Sequence, residues 1–445
     1  MGKKEDLSHI YQNPVELLQK LIRFDTTNPP GNESDCIAFV NHLLTQAGIA
    51  TKILAKSQDR PNLIARFPGQ GTAAPLLLYG HIDVVTTENQ QWRHSPFAGK
   101  LVDEFIYGRG ALDMKGGVTM MLAALLRAKA ENLRPPGDII LAIVCDEEAF
   151  GDYGAKFLVE NHPEEFDGIR YAIGEFGGFT VFVGNRRFYP IQISEKQLCC
   201  LKATFRGPGG HGSLPVRGGA MAKLSQFLQR LDKRRLPVHI TPPARLMISA
   251  MASSLGGISY LILNQLLNPR LTDCMLNLLG ERGNLFDPLL HNTVSPTILH
   301  ASNKINVIPS EVSVELDCRL LPGFQPDDLI GELLKIVEDT LDIDVIRFDP
   351  GPGPSVPNMG LFDTLAGILK EADPDGTPVP MLLSAVTDGR FFSRIGIQTY
   401  GYLPMLLPKN FSFIQTIHAA DERIPINAVE FGTNAIYQVL QRFGV

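Results

Sequence analysis

Apolar and polar residues along the first part of the chain form alternating helix-like and strand-like segments. Apolar residues recur at helical spacing over 15–24 and 35–47, and the prolines and glycine of "TTNPPGN" place a loop between them. The runs "PNLIARF", "PLLLYGHIDVV" and "DIILAIVCDEE" are apolar along their length and predict buried strands, whereas "GGVTMMLAALLRAKAE" predicts an apolar helix. Buried strands that alternate with helices are typical of a parallel sheet covered on both faces. We therefore expect an α/β domain over residues 1–197.

The pattern changes near Gln197. The segments "LCCLKATFRG" and "INVIPSEVSVELDCRLL" alternate residue by residue, which predicts strands with one solvated face, and helical spacing over 220–231 predicts a helix between them. These elements predict an α+β domain over residues 198–349. The segment 241–290 fits neither pattern, and we expect it to be a helical insertion within this second domain.

The α/β pattern returns near the C-terminus. "PGPGPSVPN" predicts a stiff linker, and "LFDTLAGILKEA", "GIQTYGYLP" and "NAVEFGTNAIYQVLQRF" follow it with helical and strand-like spacing. We therefore assign residues 350–445 to the first domain as its second part. The chain is predicted to hold a discontinuous α/β domain interrupted by an α+β domain.

Composition narrows the possible partners. A chain of 445 residues exceeds one comfortable hydrophobic core, and its formal net charge of −6 gives no reason to expect nucleic acid or an anionic membrane as a partner. The six cysteines are scattered without C-x-x-C spacing, the N-terminal segment lacks the apolar core of a signal peptide, and no apolar run reaches membrane-spanning length. We expect a cytoplasmic protein whose partners are small solutes or proteins.

Histidine and carboxylate residues follow the ends of several apolar segments, and parallel strands deliver such ends to one crevice. This mixture of ligand types suits zinc or a similar divalent ion. Taken singly, each of these residues also has a purely structural explanation. An aspartate before a helix is commonly an N-cap, and polar residues are common at strand ends. The residues are His81, Asp83, Asp113, Asp146, Glu147, Glu148, Glu175 and His418.

Three carboxylates stand side by side in "IVCDEEAFG", and they repel one another unless a positive group lies among them. A pair of divalent cations would supply that charge. Neighbouring residues of a strand point to opposite sides, which predicts different roles for Glu147 and Glu148. One would bind metal, and the other would act as a general base beside metal-bound water. For Asp146 we predict no role beyond local structure.

Several motifs together resemble a known family: "GHIDVV", "WRHSPFAGKLVDEFIYGRGALDMKGG", "CDEEAFGDYGAKFL", "GPGGHGS", "NVIPSEVSVELDCRLLPG", "TDGR" and "IHAADERIPI". They are similar, in the same order, to motifs of the co-catalytic zinc amidohydrolases that include aminoacylase, glutamate carboxypeptidase, acetylornithine deacetylase and succinyl-diaminopimelate desuccinylase. The resemblance implies a zinc-exopeptidase-like catalytic domain with an inserted lid and dimerisation domain, and a homodimer formed through that insert. It also implies two zinc ions, which cobalt or manganese could replace.

The resemblance assigns a role to each metal-site residue. Asp113 would bridge the two zinc ions, with His81 and Glu175 completing one site and Glu148 and His418 the other. Glu147 would be the general base for the bridging water, and Asp83 would orient His81. The peptide bond after Asp113 is expected to be cis.

For the substrate, the resemblance implies that His211 stabilises the oxyanion, in its own or a partner's site. Arg319, with Asn306 upstream, would hold the substrate's carboxylate and backbone, and Arg390 is a second candidate. A planar guanidinium suits recognition of a carboxylate. Glu175, where aminopeptidases and dipeptidases of this kind more often have aspartate, favours a deacylase or carboxypeptidase. "SAVTDGR" lacks the paired glycines often found before this Thr-Asp, so the resemblance does not define the shape of the pocket near Arg390. We therefore predict hydrolysis of amide bonds in N-acyl amino acids or small peptides with a free carboxylate.

Three alternative functions are compatible with parts of this pattern. An aminopeptidase or dipeptidase would use the same metals. "GPGGHG" also matches the dinucleotide fingerprint G-x-G-x-x-G, but the next predicted helix begins later, near Ala220, and the downstream Asp232 falls on it, which disfavours an oxidoreductase. A purely structural metal site or a solute-binding module is disfavoured because structural zinc sites are closed and usually rich in cysteine.

Overall fold

A computed structural model describes residues 9–337, 341–351 and 356–444 of the chain. The chain divides into two compact units: the first comprises Met1–Ile193, Asn358–Met381 and Thr387–Val445, and the second comprises Ser194–Pro357 and Leu382–Val386. The domain boundaries expected after residues 197 and 349 stay predictions. Part of the expected linker, residues 352–355, lies outside the described residues, as do residues 1–8.

A nine-stranded sheet forms the centre of the first unit. Its four middle strands run parallel, in the order Ile139–Val144, Leu76–His81, Tyr171–Gly174, Gln398–Gly401. Antiparallel neighbours extend it on both sides, Pro61–Phe67 beside Ile139–Val144 and Arg186–Glu195 beside Gln398–Gly401. The sheet is completed by Ala50–Ala55, Val181–Val183 and Gly376–Leu383. The prediction of a mixed α/β fold with a central, mostly parallel sheet is confirmed.

The helices of the first unit bury one or both faces. Lys115–Ala130 is buried along nearly its whole length and packs against Ile426–Arg442, as its uniformly apolar sequence predicts. Pro14–Ile22 begins where the Asn13 side chain accepts a hydrogen bond from the Glu16 N–H, with proline in the first helical position. The remaining helices are Ser34–Gln46, Ala155–Asn161, Phe362–Ala372, Gly389–Arg394 and Phe413–Thr416. A small sheet joins Lys100–Val102, Phe105–Tyr107 and Arg423–Pro425.

The second unit contains a four-stranded antiparallel sheet, in the order Thr293–His300, Glu311–Leu320, Gln197–Arg206, Asp342–Asp349. One face packs against the helices Ala220–Lys233 and Pro326–Val337. Residues 338–340, which follow the second of these helices, lie outside the described residues. The helix after "GPGGHG" begins at Ala220 and includes Asp232, so this glycine motif does not open a helix.

The segment predicted as a helical insertion is helical, with a separate apolar cluster around Ile248, Leu266 and Leu276. Its helices are Pro242–Leu255, Gly257–Gln265, Thr272–Leu279 and Asp287–Leu290. Over the described ranges, no helix combines the length and the hydropathy that a membrane crossing requires.

Candidate metal centre

The carboxyl ends of the parallel strands bring the predicted residues of the first unit together. His81 is the last residue of its strand, Glu175 follows Tyr171–Gly174 directly, and Glu148 lies four residues beyond Ile139–Val144. Asp113 precedes the buried helix Lys115–Ala130, and His418 lies in the loop after Phe413–Thr416. The convergence expected from a parallel sheet is therefore present.

These five residues form two groups that share Asp113. One group is His81, Asp113 and Glu175, the other is Asp113, Glu148 and His418, and in each the three candidate ligand atoms lie within 4.8 Å of one another. Asp113 Oδ1 is 3.1 Å from His81 Nε2, and Asp113 Oδ2 is 3.0 Å from His418 Nε2. The two oxygens of one carboxylate thus face two different histidines, as a bridge between two cations requires.

The electrostatics of the site fit a pair of cations. Burial opposes a charge on His81, but hydrogen bonds to Asp113 and Asp83 hold its pKa above the usual range. Hydrogen bonds to Asp113 and Glu148 raise the pKa of His418 to about 10, and burial raises the pKa of Glu148 to about 8. Glu175 Oε2 is buried without a hydrogen-bond partner among the described residues. Divalent cations would replace the protons that the raised pKa values favour on these side chains, and they would give the buried Glu175 oxygen a partner.

Asp113 is not a helix cap. The helix begins at Lys115, its N-cap residue is Met114, and no side chain caps it. The Asp113 carboxylate instead points to the two histidines. The bond between Asp113 and Met114 is cis, as the resemblance implies.

Asp83 supports the site in two ways. Its backbone carbonyl lies 3.0 Å from His81 Nδ1, and its Oδ1 lies 3.5 Å from the same nitrogen. An Nδ1–H that donates to this carbonyl leaves Nε2 free to bind a metal. Its carboxylate also accepts the backbone N–H groups of Glu147 and Glu148, each at 3.1 Å. Asp83 therefore contacts both a histidine and the turn that carries two acidic residues of the site.

The prediction that strand alternation separates Glu147 from Glu148 is wrong. The strand ends at Val144, and residues Glu147–Ala149 form a 3-10 turn, so the period of two does not apply. The carboxylates of the acidic trio differ instead in the cation that each one faces. Asp146 Oδ1 lies 3.0 Å from Arg60 Nη2, Glu147 Oε1 lies 3.9 Å from Arg390 Nη1, and Glu148 Oε1 lies 3.3 Å from His418 Nε2.

A buried ion pair that sequence reasoning missed supports the Asp113 and His418 loops. Glu422 Oε1 accepts the N–H groups of Leu112 at 2.8 Å and Asp113 at 3.2 Å, and Glu422 Oε2 lies 2.6 Å from Arg109 Nη1. Arg109 also donates to the backbone carbonyl of His418 at 3.2 Å. The available signal was that both residues fall inside recognisable motifs, "YGRGALD" and "HAADER".

Arg390 is buried in the first unit. Its guanidinium donates to the carbonyls of Thr387 at 2.6 Å and Phe150 at 3.1 Å, and it lies near Glu147. These contacts hold the guanidinium beside the turn Glu147–Ala149, which we call the acidic turn. Its assignment to substrate binding stays a prediction.

The other three predicted residues, His211, Asn306 and Arg319, lie in the second unit. The strand Gly210–His211 pairs with Val307–Ile308, and the Gly212 N–H donates to the Asn306 carbonyl at 2.8 Å, so His211 and Asn306 are near neighbours. His211 Nδ1 is 2.8 Å from Ser213 Oγ. Arg319 forms a two-point pair with Asp317, at 2.7 and 2.9 Å. Their roles toward substrate stay predictions.

The profile described as "Peptidase family M20/M25/M40" matches residues 77–442. The chain belongs to this family. As a member of peptidase family M20/M25/M40 it is a metal-dependent peptidase or amidohydrolase, and the resemblance seen in its motifs is confirmed.

Two relatives and one solved structure illustrate the similarity of this chain to other hydrolases. The chain is 29% identical over 366 residues to a probable carboxypeptidase S-like 2 of Dictyostelium discoideum, and the matched region covers 79% of this chain and 68% of that protein. It is 28% identical over 381 residues to the N-fatty-acyl-amino acid synthase/hydrolase PM20D1 of Mus musculus, covering 82% and 74%. Its fold is similar to that of an M20 family metallo-carboxypeptidase from Sulfolobus solfataricus, with a TM-score of 0.69, 16% identity, and 96% and 98% of the two chains covered.

Proposed function

We propose that this protein hydrolyses the amide bond of N-acyl amino acids or small peptides that carry a free carboxylate, with two divalent metal ions, zinc in the native enzyme. The observation that carries the proposal is the pair of ligand groups that share Asp113, with the Glu147 carboxylate next to them in the same turn. His81 and Glu175 would hold one ion, Glu148 and His418 the other, and Asp113 both. When bound, the ions supply Lewis-acid polarisation of the carbonyl and lower the pKa of water.

In this proposal Glu147 moves the proton. Its carboxylate is not needed as a ligand in either group, and burial raises its pKa above the usual range of a glutamate. A raised pKa suits a carboxylate that first accepts a proton from water and then donates it to the leaving nitrogen. Arg390, 3.9 Å away, balances the negative charge of Glu147 while it is deprotonated.

The carboxylate end of the substrate would be held by Arg319 and Asn306 of the second unit, with Arg390 as a second candidate. His211 would donate a hydrogen bond to the oxyanion that develops on the carbonyl. The names of the relatives support substrates of this kind, because one is a carboxypeptidase S-like protein and another an N-fatty-acyl-amino acid synthase/hydrolase.

A substrate panel tests the proposed specificity. Protein loaded with Zn²⁺ or Co²⁺ is offered N-acyl amino acids of short and long chain, dipeptides with a free amino group, and the same compounds as carboxylate amides. We expect cleavage of the N-acyl amino acids with a free carboxylate and loss of cleavage when the carboxylate is amidated. Preference for free amino groups would replace this proposal by an aminopeptidase or dipeptidase.

We further propose a homodimer formed through the second unit, in the cytoplasm. The strand Thr293–His300 is an edge of its sheet and exposes Ile298 by 49% and Leu299 by 54%. An apolar edge strand is suited to pairing with a second copy. All six cysteines are free, which supports a reducing compartment. Light scattering on the purified protein and cell fractionation test these two proposals.

A further inference from the structure

The loop "TTNPPGN" carries a buried side chain that lies directly behind the acidic turn. Asn28 is 4% exposed, and its Nδ2 group lies 2.8 Å from Asp83 Oδ2 and 3.2 Å from Asp146 Oδ1. The backbone fixes this position independently of the side chain. The Asn28 N–H donates to the Val84 carbonyl at 2.9 Å, and the Val84 N–H donates to the Thr26 carbonyl at 3.1 Å.

The carboxylates of Asp83 and Asp146 flank this amide, and they accept backbone N–H groups within the acidic turn and beyond it. Asp83 accepts the N–H groups of Glu147 and Glu148, whereas Asp146 Oδ2 accepts the N–H of Tyr153 at 3.0 Å. Both carboxylates are buried, so they repel each other unless donors lie between them. An amide NH₂ group offers two hydrogens, one for each carboxylate, and carries no charge of its own.

Arg60 completes the arrangement from the other side. Its guanidinium binds Glu33 at two points, 2.8 and 3.0 Å, and its Nη2 also lies 3.0 Å from Asp146 Oδ1. Gly31 allows this approach: it has φ +86°, and a Cβ at this position would collide with the guanidinium of Arg60. The asparagine and the glycine of the same loop therefore serve one cluster.

We propose that Asn28, backed by Arg60, is a positioning residue that keeps Asp83 and Asp146 in place and thereby fixes the turn carrying Glu147 and Glu148. Through Asp83 the same cluster also reaches His81. This inference rests on the proposed function, in which these residues are general base and metal ligands. Partners that orient metal ligands typically affect metal affinity or activity about 10- to 100-fold.

The test compares Asn28→Ala and Asn28→Asp with the wild type. We expect Asn28→Ala to lower kcat about 10- to 100-fold with little change in KM, to weaken Co²⁺ binding, and to alter the visible absorption spectrum of the Co²⁺-loaded protein. Asn28→Asp places a third carboxylate between two others and is expected to lose more than Asn28→Ala. The matched control is Asn13→Ala, which removes an asparagine hydrogen bond at a helix start and is expected to lower Tm alone.

A merely structural role for Asn28 predicts that Asn28→Ala behaves like Asn13→Ala, with unchanged kcat and Co²⁺ spectrum, and this result would overturn the proposal. If Asn28→Ala does not fold, Arg60→Lys keeps the charge, loses the two-point geometry and is expected to change the same readouts. If wild-type protein cleaves no substrate of the panel, the proposed function fails. Co²⁺ affinity and spectrum still decide whether Asn28 positions the site.

Discussion

Replacement of Glu422 tests whether a buried ion pair outside the ligand groups holds the metal centre together. Glu422 and Arg109 are 0% and 1% exposed, and their closest atoms are 2.6 Å apart. Glu422 also accepts two backbone N–H groups, one of them that of Asp113, and Arg109 donates to the His418 carbonyl. One pair therefore fixes the backbone next to two candidate ligands.

The two substitutions differ in what they leave unpaired. Glu422→Ala leaves a buried guanidinium without its carboxylate, and removal of one partner of a buried pair typically costs about 3–5 kcal/mol. Glu422→Gln can keep an oxygen for the N–H groups of Leu112 and Asp113, and its cost is about 1–3 kcal/mol. For comparison, the side chains of the Arg127–Glu131 pair are 33% and 47% exposed. A pair this exposed contributes about 0–1 kcal/mol to the free energy of unfolding.

Two measurements follow: the urea midpoint of unfolding, and Zn²⁺ affinity by competition with a chelator. We expect Glu422→Gln to lower the midpoint and to weaken Zn²⁺ binding about 10- to 100-fold. The reason is that Glu422 and Arg109 hold the backbone of two candidate ligands, Asp113 and His418. Glu131→Gln is the control with the same chemical change in an exposed pair. Equal Zn²⁺ affinities of Glu422→Gln and Glu131→Gln would contradict this expectation.

Three further predictions concern the loop glycine, a buried lysine and the protons of the metal centre. Gly31→Ala should lower both Tm and Co²⁺ affinity, because alanine disfavours φ +86° and displaces Arg60; unchanged values would contradict this. Burial lowers the pKa of Lys196 from 10.5 to about 7, so the unfolded chain holds the extra proton between these pH values. The stability of the wild type should therefore rise from pH 7 to 10 relative to Lys196→Met, and parallel pH profiles would count against it. Because hydrogen bonds to two carboxylates raise the pKa of His418 to about 10, Zn²⁺ binding at neutral pH should release protons and strengthen from pH 6 to 8. Calorimetry in two buffers of different ionisation enthalpy measures this release, and heats that do not depend on the buffer would exclude it.

The sequence was sufficient to predict which residues meet at the carboxyl ends of the strands. His81 and Glu175 stand at the ends of apolar runs, and such runs in a parallel sheet end at one edge. Asp113 and His418, which no strand carries, belong to the same set of candidate residues, and the resemblance of the motifs supplied their roles. The helical insertion was also predictable, since its apolar residues follow neither sheet pattern.

The contacts made by Asn28, Arg60, Arg109 and Glu422 could not be predicted, because the partners are distant in sequence. Asn28 contacts residues 55 and 118 positions away, and Glu422 contacts residues 309 to 313 positions away. A pattern within a short window contains no such information, and a charged residue such as Arg60 or Arg109 is ordinarily exposed. The strand assigned through Glu148 failed for a local reason: Asp146 has φ +69°, so the chain leaves the extended conformation before the turn.

Glu147→Gln tests whether two metal ions bind at the shared Asp113 while Glu147 moves the proton. Metal content per chain and turnover of the best N-acyl amino acid are measured on the same preparation. We predict two ions per chain in the variant, as in the wild type, and a loss of turnover of about 10²- to 10⁴-fold, the usual contribution of a general base. Turnover close to that of the wild type in fully metal-loaded Glu147→Gln would contradict the account.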